Sequence, residues 1–295
     1  MAAVQLDADR TSALLRQRIR AVFKHVPKGL AGEAEPIHQM RVAGRRLRVA
    51  LPLLGRKPAG RRVQRSLRLL RELTRAAGAS RDLDVGLDLF AQRLTALVRP
   101  SPEQLALRRR LRATRTRGRT RMAETLLDLE IARLRRDLRR IVARTGEDLF
   151  TVLLRLREMR DSEGTALVEG FQSLGERFDP VALHRLRRQA RRLRYAAEVS
   201  DALLRGESSE APALFKSLQE EIGQIHDRNV LAGWFEAQAR TSGARGQVAL
   251  ADEAEALQAF FIGAARELHR ALLARNPVAV AQEGLAVMGR TRSAA

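Results

Sequence analysis

Two short stretches of the chain carry the same chemistry at the same spacing. At His38, Arg41, Arg45 and Arg48 an imidazole and three guanidinium groups recur at steps of three or four residues. His184, Arg187, Arg191 and Arg194 repeat that spacing 146 positions further on. On an α-helix each set falls within one quadrant, a stripe about 15 Å long at 1.5 Å per residue. A guanidinium is a planar fork of donors matched to phosphate or carboxylate oxygens, and an imidazole adds a donor that can gain charge. The chemistry on offer is the capture of an anion rich in oxygens. Like charges three or four residues apart cost a helix about 0.2–0.5 kcal/mol per pair. Such a stripe therefore calls for an anion, or for Asp and Glu partners on neighbouring helices. Charge runs are ordinarily solvated faces, but the duplication of this one, histidine included, favours a ligand.

The elements that hold these residues can be read from the opposite face. Met40, Ala43, Gly44, Leu47, Leu51 and Leu54 oppose the first stripe, and Leu183, Leu186, Ala190, Leu193 and Ala197 oppose the second. Each helix is thus amphipathic, apolar toward a core and cationic on the other side. Glu35-Pro36 and Asp179-Pro180 place proline at the expected first helical position, with Asp179 as an N-cap candidate. Both histidines then lie near a helix N-terminus, where free N–H groups and the dipole favour anions.

The rest of the chain also reads as helix. Leu, Ala, Arg and Glu dominate, and no stretch alternates with period two. Helices are expected at 9–26, 36–56, 60–78, 82–98, 103–144, 147–176, 180–205, 211–223, 227–241 and 247–275. Pro and Gly residues such as Pro27, Pro58, Pro100, Gly146, Gly206 and Gly243 fall between them. The end of the chain from Pro277 is expected to form a short helix and a frayed tail.

Composition bounds the partner. In 295 residues there are 55 Lys+Arg against 34 Asp+Glu, a formal net charge of +21, which attracts nucleic acid, anionic membrane or another polyanion. Nearly all the cations are arginine, with lysine only at 24, 28, 57 and 216. The ratio alone is weak evidence, because codon usage can produce it. Cysteine is absent, which removes disulfides, thiolate metal sites and thiol catalysis. No signal peptide and no run of about 18 apolar residues is visible, so a cytoplasmic protein is expected.

The repeat extends beyond the stripes. IHQMRVAGRRLRVAL at 37–51 aligns with LHRLRRQARRLRYAA at 183–197, sharing Arg46/Arg192, Leu47/Leu193 and Ala50/Ala196 as well. LTRAAGASRDLDV at 73–85 aligns with LQEEIGQIHDRNV at 218–230, sharing Leu73/Leu218, Gly78/Gly223, Asp82/Asp227 and Val85/Val230. Two matches in order at nearly one offset imply a tandem duplication split near Gly146, with halves 1–145 and 146–295.

At this point the sequence resembles CHAD, the conserved histidine α-helical domain. His38 to Arg48 follows the pattern H-x-x-R-V-x-x-R-R-L-R, and 184–194 follows it apart from Arg188 at the Val position. The segments 78–85 and 218–231 are similar to the family's second signature. The resemblance spans nearly the whole chain and implies two four-helix-bundle-like halves about a pseudo-two-fold axis, enclosing a basic groove or pore. It also implies binding of inorganic polyphosphate and, in some members, residence on polyphosphate granules. Many members carry an adjoining triphosphate-processing domain, for which these residues leave no room, so a stand-alone member is expected. The ligand contacts implied are His38, Arg41, Arg45, Arg46, Arg48, His184, Arg187, Arg191, Arg192 and Arg194, with Lys216 ahead of the second motif. Arg81 stands where the second repeat has His226, which leaves a role for His226 open.

Other residues leave alternatives. Arg108, Arg112, Arg115 and Arg119 share one face within an arginine run reaching Arg121, which either extends the groove or is solvated. Asp82, Asp84 and Asp227 read as helix caps or as partners that orient arginines, ahead of any catalytic role. His25 and His269 have no repeat counterpart and read as structural or surface residues.

Three functions compete. A polyphosphate-binding module fits the duplicated stripes. A nucleic-acid binder would use the same cations, but aromatics are 4% of the chain, leaving little for base stacking. A metal-dependent phosphohydrolase has only the His226-Asp227 dipeptide in its favour, with no further ligand set and no phosphate-binding loop. The reading is a non-enzymatic binding module without metal or cofactor, for which nucleic acid is a weaker partner.

Overall fold

A computed structural model describes residues 2–143, 147–204 and 208–290, with side chains from residue 9 onward. Among these residues it contains ten helices and no strand: α1 (Ala2–Leu30), α2 (Ala34–Leu54), α3 (Arg61–Thr95), α4 (Pro102–Asp128), α5 (Ile131–Ala143), α6 (Leu149–Gln172), α7 (Pro180–Leu204), α8 (Ala211–Gly243), α9 (Val248–Ala274) and α10 (Pro277–Gly289). The expected junction at Gly146, the break at Gly206 and the expected tail at 291–295 lie outside the described residues.

Several helix starts follow from local chemistry. Ser101 and Gln104 form a reciprocal capping box at α4, and Pro102 occupies the first turn. Asp148 caps α6 by accepting from the Thr151 amide at 2.8 Å. Asp179 caps α7, accepting from the amides of Val181 and Ala182 at 2.8 and 3.0 Å. Gly32 and Gly246 have φ of 84° and 68°, values that favour glycine, at the turns into α2 and α9.

Where the structure departs from the periodicity, packing explains the difference. α3 and α8 run unbroken through Gly78 and Gly223, where the sequence reads as two helices each. A helix-interior glycine costs about 1 kcal/mol relative to alanine, and here both glycines make room for an arginine, as described below. The stretch 103–144 instead divides at Leu129 and Glu130 without any Gly or Pro, because α4 packs on α3 and α9 whereas α5 packs on α3 and α1. α2 begins at Ala34, two residues before the expected start, so Pro36 lies inside its first turn. α1 passes through Pro27 to Leu30.

Three buried clusters hold the helices together. The first gathers α1, α2, α3, the end of α4 and α5 with the start of α6 and the end of α7, around Met40, Leu47, Leu70, Leu134 and Val199. A second joins α6, α7 and α8 with the ends of α9 and α10, around Leu186, Leu193, Phe215 and Ile222. The third unites the ends of α3 and α8 with α4 and α9, around Phe90, Leu107, Phe235 and Phe261. Each apolar face expected on α2 and α7 is buried in these clusters. None of the described helices is long and apolar enough to cross a membrane.

Candidate anion site between the basic helices

α2 and α7 touch each other, with α3 packed on α2, α8 packed on α7, and α3 against α8. His38 and His184 are each the fifth residue of their helix. At the centre Arg41, Arg45, Arg187 and Arg191 share one electrostatic field. Burial and the charges of Arg191 and Arg41 push the Arg45 guanidinium far below its ordinary value, to about 8. Burial, opposed by Tyr195 and reinforced by Arg187 and Arg41, takes Arg191 down to about 10. Guanidinium groups stay protonated in proteins, so these shifts express the free energy of holding charge in a desolvated place without a counter-ion. Among the described residues no carboxylate lies within ion-pair distance of Arg45 or Arg191.

Two carboxylates orient the neighbouring arginines. Arg41, only 9% exposed, reaches Asp82 on α3 at 3.5 Å, and Arg187 reaches Asp227 on α8 at 4.0 Å. Both acids stand inside their helices, so they act as ion-pair partners rather than caps. Gly78 and Gly223 supply the space. A Cβ at Gly78 would lie 3.6 Å from Arg41 Nε, and one at Gly223 would lie 3.2 Å from an Arg187 terminal nitrogen. The Nε donors of both arginines are buried and unspent. Burial raises the pKa of the Asp227 carboxyl despite Arg187 beside it.

The histidines border the same field. Burial, then the charge of Arg81, lowers the pKa of His38, against Glu35, and its Nδ1 has no partner. His184 is lowered by burial and by Arg188, Arg187 and Arg191. Its ring lies 5.2 Å from that of His226. Burial, with Arg187 and His184 next, takes His226 down to about 4. Arg48 lies at the far end, donating to Thr74 Oγ1 at 3.3 Å; burial and then Arg71, Arg188, Arg192 and Arg75 lower its pKa.

The remaining residues of the expected set are held by acids. Arg46 grips Glu198 with two hydrogen bonds of 2.8 and 2.9 Å, and Arg194 and Arg18 reach the same carboxylate at 3.3 and 3.5 Å. Burial opposes the Arg46 charge, but Glu198 lifts its pKa above the ordinary value. Arg192 pairs with Glu163 on α6, and the exposed Lys216 pairs with Glu220 at 3.5 Å. Sequence reasoning passed over Glu198, which continues the second stripe one turn beyond Arg194, and over Arg71 and Arg75. A signal for Arg71 was present, since it stands 145 positions before Lys216. His269 is buried with its ring 5.8 Å from that of Phe178, and His25 is partly buried on α1.

Cavities elsewhere include one of about 550 Å³ beside Arg16, Phe23 and Arg135 and one of about 600 Å³ beside Arg56, Arg61 and Arg140. Among the described residues no group of three or more His, Asp or Glu is placed to hold a metal ion. The arrangement offers many donors, much positive charge and few acceptors, a chemistry of anion binding.

Residues 13–236 match the family model described as the CHAD domain. The chain is also similar to the crystal structure of the CHAD domain from the plant Ricinus communis. That similarity has a TM-score of 0.61 and 24% identity, over 96% of this chain and 92% of that one. Comparison with curated proteins gives no match. The plant structure shares the fold, and the family match covers both basic helices and both glycine-containing partners: the chain belongs to the CHAD-domain family.

Proposed function

We propose that this protein binds inorganic polyphosphate along α2 and α7 and has no catalytic activity of its own. The observation that carries the reading is the central quartet, Arg41, Arg45, Arg187 and Arg191. Two of its members, Arg45 and Arg191, are half-buried beside other cations with no carboxylate of their own among the described residues. A linear polyanion would supply the missing charge at every position along the stripes. His38, His184 and Arg48 complete the inner set. Arg46, Arg192, Arg194 and Lys216 form an outer set that engages the ligand only by exchanging a carboxylate for a phosphate.

The wider reading follows from the same pairing. We take 1–145 and 146–295 as two repeats about a pseudo-two-fold axis, because Arg41 with Asp82 and Gly78 matches Arg187 with Asp227 and Gly223. A cytoplasmic location, with association to polyphosphate granules, accords with this ligand. His226-Asp227 does not favour phosphohydrolysis, since Asp227 faces Arg187 and His226 faces His184. Nucleic acid is disfavoured because Phe90, Trp234, Phe235 and Phe261 pack into the third core, and Tyr195, which lies against Arg46 and Arg194, is buried and so closed to base stacking.

The test is titration with long-chain polyphosphate, duplex DNA and single-stranded DNA at matched salt. Polyphosphate binds most tightly, and each affinity falls as salt rises. The Arg45→Ala/Arg191→Ala double variant loses two charge-assisted contacts of roughly 1.5–3 kcal/mol each, about a hundredfold or more in affinity. Its fold is unchanged or stabilised, since like-charge repulsion is relieved. DNA binding as tight as polyphosphate binding would favour the nucleic-acid reading.

A further inference from the structure

The arginine run on α4 does not act as one face. Arg115 and Arg119 are committed to the buried Asp84 of α3, at 2.5 and 3.2 Å. Arg110 is committed to α8 and the turn after it, donating to Ser242 and Gln247 at 2.9 and 2.8 Å. These three fasten α4 to its neighbours. Arg108 and Arg112 are different. They stand one helical turn apart, about 6 Å along α4, and among the described residues neither has a carboxylate within ion-pair distance.

Both face a cavity of about 540 Å³ that Arg81 and Ala34 also line. Ala34 is the first residue of α2, the helix that carries the first stripe. Arg81 is the link between the two places. Its charge is the foremost electrostatic influence on His38 and also bears on Arg41. It too has no carboxylate partner among the described residues. The carboxylates in the cavity are Asp84, already engaged by Arg115 and Arg119, and the exposed Asp88. Close packing fixes α4 in this position, since a Cβ at Gly118 would come within 2.8 Å of Leu83 on α3.

The geometry points to a second subsite for the polyanion here, entered from His38 past Arg81 and formed by Arg108 and Arg112. This assignment rests on the polyphosphate reading of the α2 and α7 stripes and extends it. A short phosphate chain is satisfied by the central quartet. A long chain leaves by the N-terminus of α2 and gains further contacts on α4. Affinity therefore rises with chain length beyond what the stripes alone accommodate, because the additional contacts form within one complex.

The experiment compares tripolyphosphate and long-chain polyphosphate across three proteins: unaltered, Arg108→Ala/Arg112→Ala and Arg109→Ala/Arg117→Ala. The last pair removes the same charge from exposed positions of α4 that do not line the cavity. Alanine suits a helix interior, and circular dichroism verifies that all three are folded. Loss of the subsite lowers long-chain affinity roughly tenfold and makes its salt dependence shallower by about one to two contacts. Tripolyphosphate affinity and the control variant stay close to the unaltered protein. Equal losses in the two variants would mean a diffuse field and overturn the subsite, as would long-chain binding that Arg108→Ala/Arg112→Ala leaves intact. Failure of the unaltered protein to bind long chains would overturn the polyphosphate reading together with its extension.

Discussion

Arg45 and Arg191 keep their charge against burial and against each other, and the histidines beside them respond to the same field in the opposite sense. A guanidinium stays charged and waits for an anion, whereas an imidazole in that field stays neutral. His38 and His184 both lie below their ordinary 6.5 in the free protein. A phosphate placed next to them favours the imidazolium and raises both values, so binding takes up protons. By linkage, affinity increases as pH falls through the range at and below 6.5 and is flat well above it. Replacing both with Gln keeps a donor but no titratable charge. Polyphosphate titrations from about pH 8 to pH 5.5 show a slope for the unaltered protein and a flatter profile for His38→Gln/His184→Gln, with high-pH affinity nearly retained. His226, held near 4, is present in both proteins and does not separate them. Identical profiles would make the two histidines structural.

At the level of elements, glycine decides how close the helices and their arginines come. Gly44 on α2 is set against α3, where a Cβ would fall 2.6 Å from Thr74 Cγ2; Gly223 on α8 is set against the flexible end of Arg187. The two substitutions therefore part company. Gly44→Ala forces packed helices apart and destabilises the fold by roughly 1–3 kcal/mol. Gly223→Ala moves a guanidinium, gains up to about 1 kcal/mol of helix propensity, and weakens polyphosphate binding while leaving or raising stability. Denaturant melts and titrations of both variants separate the cases. These glycines also mark how far the sequence could be read. α2 and α7 were legible because an apolar face opposes each cationic one and Asp179-Pro180 starts the second. Gly78 and Gly223, each followed four residues later by Asp, looked like a helix end and the cap of the next. The reason they lie inside continuous helices is a side chain from another helix, which periodicity within one segment does not reveal. The break at Leu129 was hidden for the same reason, since it is caused by a change of packing partner without a breaker residue. Arg41 and Arg45 were visible as stripe members. Arg194 was visible too, with Glu198 one turn further along its own helix, but the convergence of Arg18 and Arg46 on that acid was not, because it arises only after α1, α2 and α7 meet.

Across the whole molecule the first and third cores both tie early helices to late ones. Phe90 on α3 and Phe235 on α8 meet edge to face with centroids 5.0 Å apart, and Phe235 stacks on Phe261 at 5.7 Å. Phe235→Ala removes a fully buried ring and costs about 3–5 kcal/mol. Because the ring is remote from the stripes, the folded fraction keeps its polyphosphate affinity; calorimetry of unfolding and of binding reads the two effects apart. The same core has a consequence for the order of events on the ribosome. Chains emerge N-terminus first, at about 5–20 residues per second. When α3 and α4 leave the tunnel, the residues that will cover Phe90, Leu107 and Leu111 belong to α8 and α9 and have not been made. Tyr195, Ala196 and Val199, which complete the first core, are likewise still to come. The nascent first half thus carries uncovered apolar surface beside a stripe of arginines for several seconds of synthesis. Its final packing waits on helices more than a hundred residues downstream, and these long-range contacts place the slow step of folding after α7, α8 and α9 have been made.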